Sequence, residues 1–171
     1  MDFTDKVVVV SGAAGGVGKA LVQKLLDSGA LICATDIAPE VADLATAAPD
    51  RITAVAADVT QSPLVDRIFE TAETRFGPVD IVLSNAGYIV SKSVHETTEA
   101  EWNKVVDANA KSLFLMAKRA LPSMMERKGG SIVATGSISS VLGLPEQAAY
   151  CAAKHGVVGR TKALAHEVAG K

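Results

Sequence analysis

"KVVVVSGAAGGVGKALVQKLLDSGALICATD", residues 6–36, changes its pattern three times. Val7 to Val10 form an unbroken β-branched run, which predicts a strand buried on both faces. Glycines at 12, 15, 16 and 18 then break the run. Apolar Val17, Leu21, Leu25 and Leu26 follow at helical spacing, and Gly29 suits the end of that helix. "ALICATD" is strand-like again. Two strands joined through a helix need a crossover connection, so they run parallel.

The rest of the chain repeats this alternation. "APEVADLATAA" predicts a short helix with Pro39 near its start, and "RITAVAADV" a third strand. "SPLVDRIFETAETRFG" places Leu64, Ile68 and Phe76 on one side of a helix, and "VDIVLSNAG" follows as a fourth strand. A long helix is expected from Glu99 to Arg127, entered through a Thr98 cap and closed by Lys128, Gly129 and Gly130. "SIVATGS" reads as a fifth strand, and a last helix carries Tyr150. The strands are continuous apolar runs, as expected of a parallel sheet covered on both faces. The fold class is therefore α/β, a doubly wound parallel sheet in a three-layer, Rossmann-like arrangement, with residues 1–171 as one domain.

Composition narrows the function. Of 171 residues, 49% are hydrophobic and only 4% aromatic, and the formal net charge is −2. That leaves neither a basic field nor stacking platforms for nucleic acid. No apolar run reaches membrane-spanning length, and the N-terminus has no signal-peptide pattern. Cys33 and Cys151 lack the spacing of a disulfide framework or zinc site and read as small core hydrophobes. His95, His155 and His166 have no metal-ligand spacing, so no metal site is expected. A soluble, cytoplasmic protein of a reducing compartment is the expectation.

Two features carry chemistry. A glycine-rich turn between strand and helix can bring backbone N–H groups to a pyrophosphate, although many such turns only avoid a clash. A mononucleotide P-loop fails here, because Ala20 stands where a hydroxyl should hold magnesium and Ala13 where glycine should begin the motif. Asp36 ends the second strand 18 residues after Gly18, near the separation at which an acid accepts hydrogen bonds from an adenosine ribose. Its charge would repel a 2′-phosphate, and Ile37 and Ala38 follow it rather than arginine, which favours NAD over NADP. Tyr150 precedes Lys154 by one helical turn in "AAYCAAKHG". A phenol with an ordinary pKa of about 10 works near neutral pH only where its anion is stabilised.

Gly12, Gly16 and Gly18 with Asp36, then Asp58-Val59, Asn85-Ala86-Gly87, Asn109, Ser137 and the Tyr150/Lys154 pair occur in one order. That order resembles the short-chain dehydrogenases/reductases over essentially the whole chain. Ser11 stands in place of the family's threonine and Ser84 in place of its first asparagine. The resemblance implies an NAD-dependent oxidoreductase interconverting a secondary alcohol and a ketone. The cofactor would meet Gly12, Gly16, Val17 and Gly18 at the turn, Asp36 at the ribose, and Asp58 and Val59 at the adenine. Asn85, Ala86 and Gly87 would pass beneath it. The implied catalytic set is Asn109 holding a relay water, Ser137 binding the substrate oxygen, Tyr150 exchanging its proton and Lys154 binding the nicotinamide ribose. Ser139 and Ser140 compete with Ser137 by composition alone.

Family members normally continue beyond the Tyr150 helix through a further strand, a substrate cover and a final strand with its helix, so the pattern reads as C-terminally truncated. A catalytically silent nucleotide-binding or dimerisation module is the alternative. Epimerases and dehydratases share the tyrosine–lysine pair but generally need a larger C-terminal domain. A homodimer or homotetramer is expected through the two long helices. Val157, Thr161, Leu164 and Val168 would form a stripe there, and Gly156 and Gly159 would allow close approach.

Overall fold

A computed structural model describes residues 2–170. Five strands, β1 (Val7–Ser11), β2 (Leu31–Asp36), β3 (Ile52–Ala56), β4 (Ile81–Ser84) and β5 (Ser131–Ala134), form one parallel sheet in the order β3-β2-β1-β4-β5. The central strand β1 is buried throughout, as an all-valine run requires. Helices α3 (Ser62–Phe76) and α5 (Ser112–Glu126) cover one face, where Val7, Val9, Cys33, Val82, Phe69 and Met116 meet. Helices α1 (Gly16–Asp27) and α2 (Val41–Ala47) cover the other, against Val8, Val10, Ile32 and Ala34. A further helix, α4 (Glu99–Val106), packs with α6 (Ala148–Val168) through Val105, Ala149 and Ala153. The architecture is the doubly wound α/β sheet that the sequence predicts.

Several details differ from the sequence reading. Val17 does not join the buried face of α1: it is 62% exposed, and Gly18, Val22 and Leu25 make the contact instead. Helix α2 begins at Val41, with Pro39 in the turn before it, because the Val41 and Ala42 amides close turns onto Ala38 and Pro39. Strand β3 ends at Ala56 and β4 at Ser84, so Asp58-Val59 and Asn85–Gly87 lie in the loops that leave them. The long helix is divided by a π-turn at Asp107–Lys111, and Pro122 lies within α5. Thr98 caps α4 as expected, in a reciprocal box with Glu101.

Cys33 is fully buried, but Cys151 is only half-buried. Its sulfur accepts the Leu144 amide and donates to the Leu142 carbonyl, so from α6 it packs against the preceding loop rather than in the core. On α6, Val157 is buried, while Thr161, Leu164 and Val168 line a groove against α5 and β5. Of these only Val157 is fully covered: Thr161 is exposed and Leu164 and Val168 are half-buried, so the stripe borders an open groove, and Gly156 and Gly159 are exposed as well. Among the described residues no helix is long and apolar enough to cross a membrane, and no cluster of potential metal ligands occurs.

Candidate active site

The chain turns to opposite sides of the sheet on either flank of β1, between β1 and β4, and a parallel sheet forms a crevice at such a point. A cavity of about 910 Å³ opens there, beyond the C-terminal strand ends. Gly12, Gly16, Val17, Gly18, Asp36, Asp58, Val59, Asn85, Ala86, Gly87, Tyr150 and Lys154 all line it.

Each glycine of the turn has its own physical reason. Gly12 has φ +66°, and a Cβ there would stand 2.9 Å from the Ala86 backbone. A Cβ on Gly18 would come within 1.9 Å of the Gly12 carbonyl, so only glycine lets α1 sit this close to the turn. Gly16 is different. A Cβ there would meet nothing within 4 Å, and the residue faces the cavity, so the fold does not require glycine at this position. No side chain caps α1 and no acid lies in its first turn, which leaves its N–H groups and positive end available to an anion.

The neighbouring loop is tied down by Ser11, whose hydroxyl accepts the Asn85 and Ala86 amides at 3.1 Å each. A serine hydroxyl is enough for both contacts. Asn85 donates to the Gly12 carbonyl and accepts from Thr135. Asp36 is held at the end of β2 by two backbone amides: Ala14 donates to Oδ2 at 2.9 Å and Ala38 to Oδ1 at 3.0 Å. Asp58 accepts the Thr60 amide at 2.9 Å.

At the other end, Lys154 is 4% exposed. Its ammonium donates to the Thr135 carbonyl at 2.7 Å, lies 5.6 Å from the centre of the Tyr150 ring, and forms no ion pair among the described residues. Burial pushes its pKa down from the ordinary lysine value. Asn109, 3% exposed, occupies the π-turn. Its amide donates to the carbonyls of Tyr88 at 2.6 Å and Val105 at 2.8 Å. Its Oδ1 is buried without a partner and faces Gly87, where a Cβ would stand 2.7 Å from that oxygen and 3.8 Å from Lys154 Nζ. Asn109 and Lys154 thus converge behind Gly87.

Ser137 lies outside the cavity lining, at the start of the 3-10 turn Ile138–Ser140, with its hydroxyl accepting the Ser139 amide. Ser139 and Ser140 are buried and turned inward, one donating to Gln147 and the other accepting the Ser137 amide. Of the three serines, Ser137 is the half-exposed one.

The sequence reading misses Thr135, Tyr88, Lys104 and Asp107, which also line the cavity. Tyr88 and Thr135 directly follow motif or strand residues, a signal available from position alone. Lys104 lies on α4 and Asp107 opens the π-turn, and the apolar pattern does not reveal that either faces the cavity.

The short chain dehydrogenase family model matches residues 6–171. The chain is 34% identical over 167 residues to the NAD-dependent glycerol dehydrogenase of Listeria innocua, covering 97% of this chain and 66% of that protein. It is 35% identical over 166 residues to the 3-oxoacyl-[acyl-carrier-protein] reductase MabA of Mycobacterium tuberculosis, covering 97% and 64%. It therefore spans about two thirds of the length of these relatives. A crystal structure of a short-chain dehydrogenase/reductase, glucose/ribitol dehydrogenase, from Brucella melitensis superposes with a TM-score of 0.93 at 30% identity, over 100% of this chain and 73% of that one. Levodione reductase superposes with a TM-score of 0.90 at 34% identity, over 96% and 67%. On the family match and these likenesses together, the chain belongs to the short-chain dehydrogenase family.

Proposed function

We propose that the protein is an NAD-dependent oxidoreductase that interconverts a secondary alcohol and a ketone. One observation carries this reading: a single cavity holds Asp36 and the uncapped start of α1 together with Tyr150 and Lys154. A dinucleotide suits that space. The first turn of α1 offers free N–H groups to a pyrophosphate, and Gly16 keeps a methyl out of its way. The two amides that fix Asp36 leave carboxylate lone pairs for ribose hydroxyls, whereas a 2′-phosphate would meet like charge. Asp58 and Val59 would border the adenine, with Asn85, Ala86 and Gly87 beneath the cofactor.

The nicotinamide, when bound, supplies a two-electron hydride acceptor or donor. The protein handles the proton. In oxidation Tyr150 takes the hydroxyl proton of the alcohol, and in reduction it returns a proton to the ketone oxygen. The Lys154 ammonium, fixed by Thr135 beside the Tyr150 ring, stabilises negative charge on the phenol oxygen and binds the nicotinamide ribose. Ser137 donates a hydrogen bond to the same substrate oxygen. The unpartnered Asn109 Oδ1 accepts a water that passes protons to Lys154.

Copies of the chain pair through the open side of α5 and α6. Gly156 and Gly159 leave space there, and Arg160 lies 5.3 Å from the exposed ring of Phe114. A monomeric mass by light scattering at micromolar concentration would count against this pairing.

The reading is tested with Tyr150→Phe, which removes the proton carrier and little volume. Its turnover of secondary alcohols is expected to vanish while NAD binds as before. A Phe variant that keeps most of its activity would overturn the catalytic assignment. NAD binding by the unmodified chain without turnover of any secondary alcohol would leave a nucleotide-binding module.

A further inference from the structure

Two loops leave the sheet beside Tyr150, one after β4 and one after β5. They carry six of the eleven exposed large hydrophobic side chains among the described residues, including Ile89, Ile138, Val141 and Leu142. Scattered single hydrophobics need no explanation, but a group of them at one end of a sheet marks a binding surface. Ile138 and Val141 are 62% and 69% exposed.

The loops are joined to each other and to the site. The Lys92 amide donates to the Glu146 carbonyl at 2.8 Å, and Leu142 closes onto Ile138 at 3.0 Å. Cys151, next to Tyr150, donates to the Leu142 carbonyl. Val90 packs with Tyr150, Val105 and Ala149, while its neighbour Ile89 lines the cavity. The only charged side chain between Ser137 and Tyr150 is Glu146. Lys92 is taken up by Glu101 at 2.6 Å, and the ammonium of Lys104 lies 4.2 Å from the centre of the Tyr88 ring.

We infer that this apolar rim selects a carbonyl or carbinol carbon flanked by hydrocarbon, rather than a polyol or a carboxylate-bearing hydroxy acid. The inference rests on the alcohol–ketone reading above and deepens it. Hydroxyl groups set against Ile89, Ile138 and Val141 would lose their water without gaining partners, whereas hydrocarbon there removes apolar surface from water. Lys104 and Lys154 are the cations lining the cavity that could favour a carboxylate, so a hydroxy acid belongs in the test.

The test compares cyclohexanone, dihydroxyacetone and 3-hydroxybutyrate by saturation-transfer NMR on the full chain with NAD, a readout that does not need turnover. It is paired with rates of cyclohexanol oxidation to cyclohexanone, in which NAD takes the hydride and a proton is released. Cyclohexanone is expected to bind at least tenfold more tightly than either polar compound. Ile138→Asp and Val141→Asp, both at exposed positions, are expected to weaken it at least tenfold with NAD affinity unchanged. Equal or tighter binding of dihydroxyacetone or 3-hydroxybutyrate would overturn the inference, as would cyclohexanone binding that ignores both substitutions. Failure to bind NAD would overturn the dinucleotide reading and this inference with it, which separates the two failures.

Discussion

Gly16 and Gly18 stand two residues apart on α1, yet replacing each with alanine should act on different properties. At Gly18 the new methyl would sit 1.9 Å from the Gly12 carbonyl and 2.7 Å from Ala13 Cα, all rigid backbone. Forcing a methyl into packed structure costs about 3 kcal/mol at the upper end of the usual range. The better helix propensity of alanine returns about 1 kcal/mol. The net loss of about 2 kcal/mol should lower Tm by roughly 4–8 °C for a chain of this size. At Gly16 the methyl meets nothing within 4 Å and the backbone is not in the left-handed region. Alanine there should be neutral or stabilise by about 0.4–1 kcal/mol through the unfolded chain. That methyl would enter the cavity where the pyrophosphate is proposed to bind, so NAD affinity should fall at least about tenfold, or about 1.4 kcal/mol. Thermal unfolding by circular dichroism and NAD titration by calorimetry read the two effects separately. An unchanged Tm for Gly18→Ala would refute the close-approach argument. Full NAD affinity in Gly16→Ala would refute the assignment of the turn.

Asp36→Ala should reduce a preference for NAD over NADP, measured by titrating both; tighter NADP binding by the unmodified protein would sink the charge argument. Cys33 is buried and its thiol is pushed up to about 12, so it should resist iodoacetamide until the protein unfolds, while half-buried Cys151 reacts in the native state. Mass mapping that finds Cys33 labelled first would contradict the packing. The Lys92 ammonium and the Thr98 groups hold the Glu101 carboxyl at about 2, below its ordinary 4.5. A depressed carboxyl stabilises the fold above pH 4.5 and loses that contribution as pH falls toward 2. Glu101→Gln should therefore flatten the fall of Tm over that range, and an identical slope in both proteins would show that the contact contributes nothing.

Much of the fold is legible because its signals are local. The valine run at 7–10 needs a two-sided core, Gly29 takes φ +83° after α1, and Thr98 with Glu101 builds the predicted cap. The errors have physical causes too. Apolar periodicity looks for side chains, and the face of α1 that meets the turn is made by the absence of one, at Gly18. Val17, which completes the apolar count on paper, is thereby left to face the cavity. On α6 the stripe is covered only in part: Val157 is buried, whereas Thr161, Leu164 and Val168 line an open groove beside α5 and β5.

For the site, spacing alone puts Tyr150 and Lys154 on one helical face, but spacing cannot say whether the lysine is buried. Burial comes from Thr135 across the sheet edge, 19 residues away, which takes the ammonium into a carbonyl contact. The π-turn is equally non-local. Its extra backbone residue turns Asn109 inward, where the side-chain amide meets the Tyr88 carbonyl 21 residues earlier in the chain. Such an insertion costs regular helix hydrogen bonding and persists where tertiary contacts replace what is lost. Beside Gly87 and Lys154, one side-chain acceptor, Asn109 Oδ1, is left without a partner. A buried acceptor left unpaired costs stability, typically about 1–3 kcal/mol. An apolar side chain there would remove the orphaned acceptor but leave the Tyr88 carbonyl without its donor, so Asn109 ties the loop down through its amide while Oδ1 stays free toward Gly87 and Lys154.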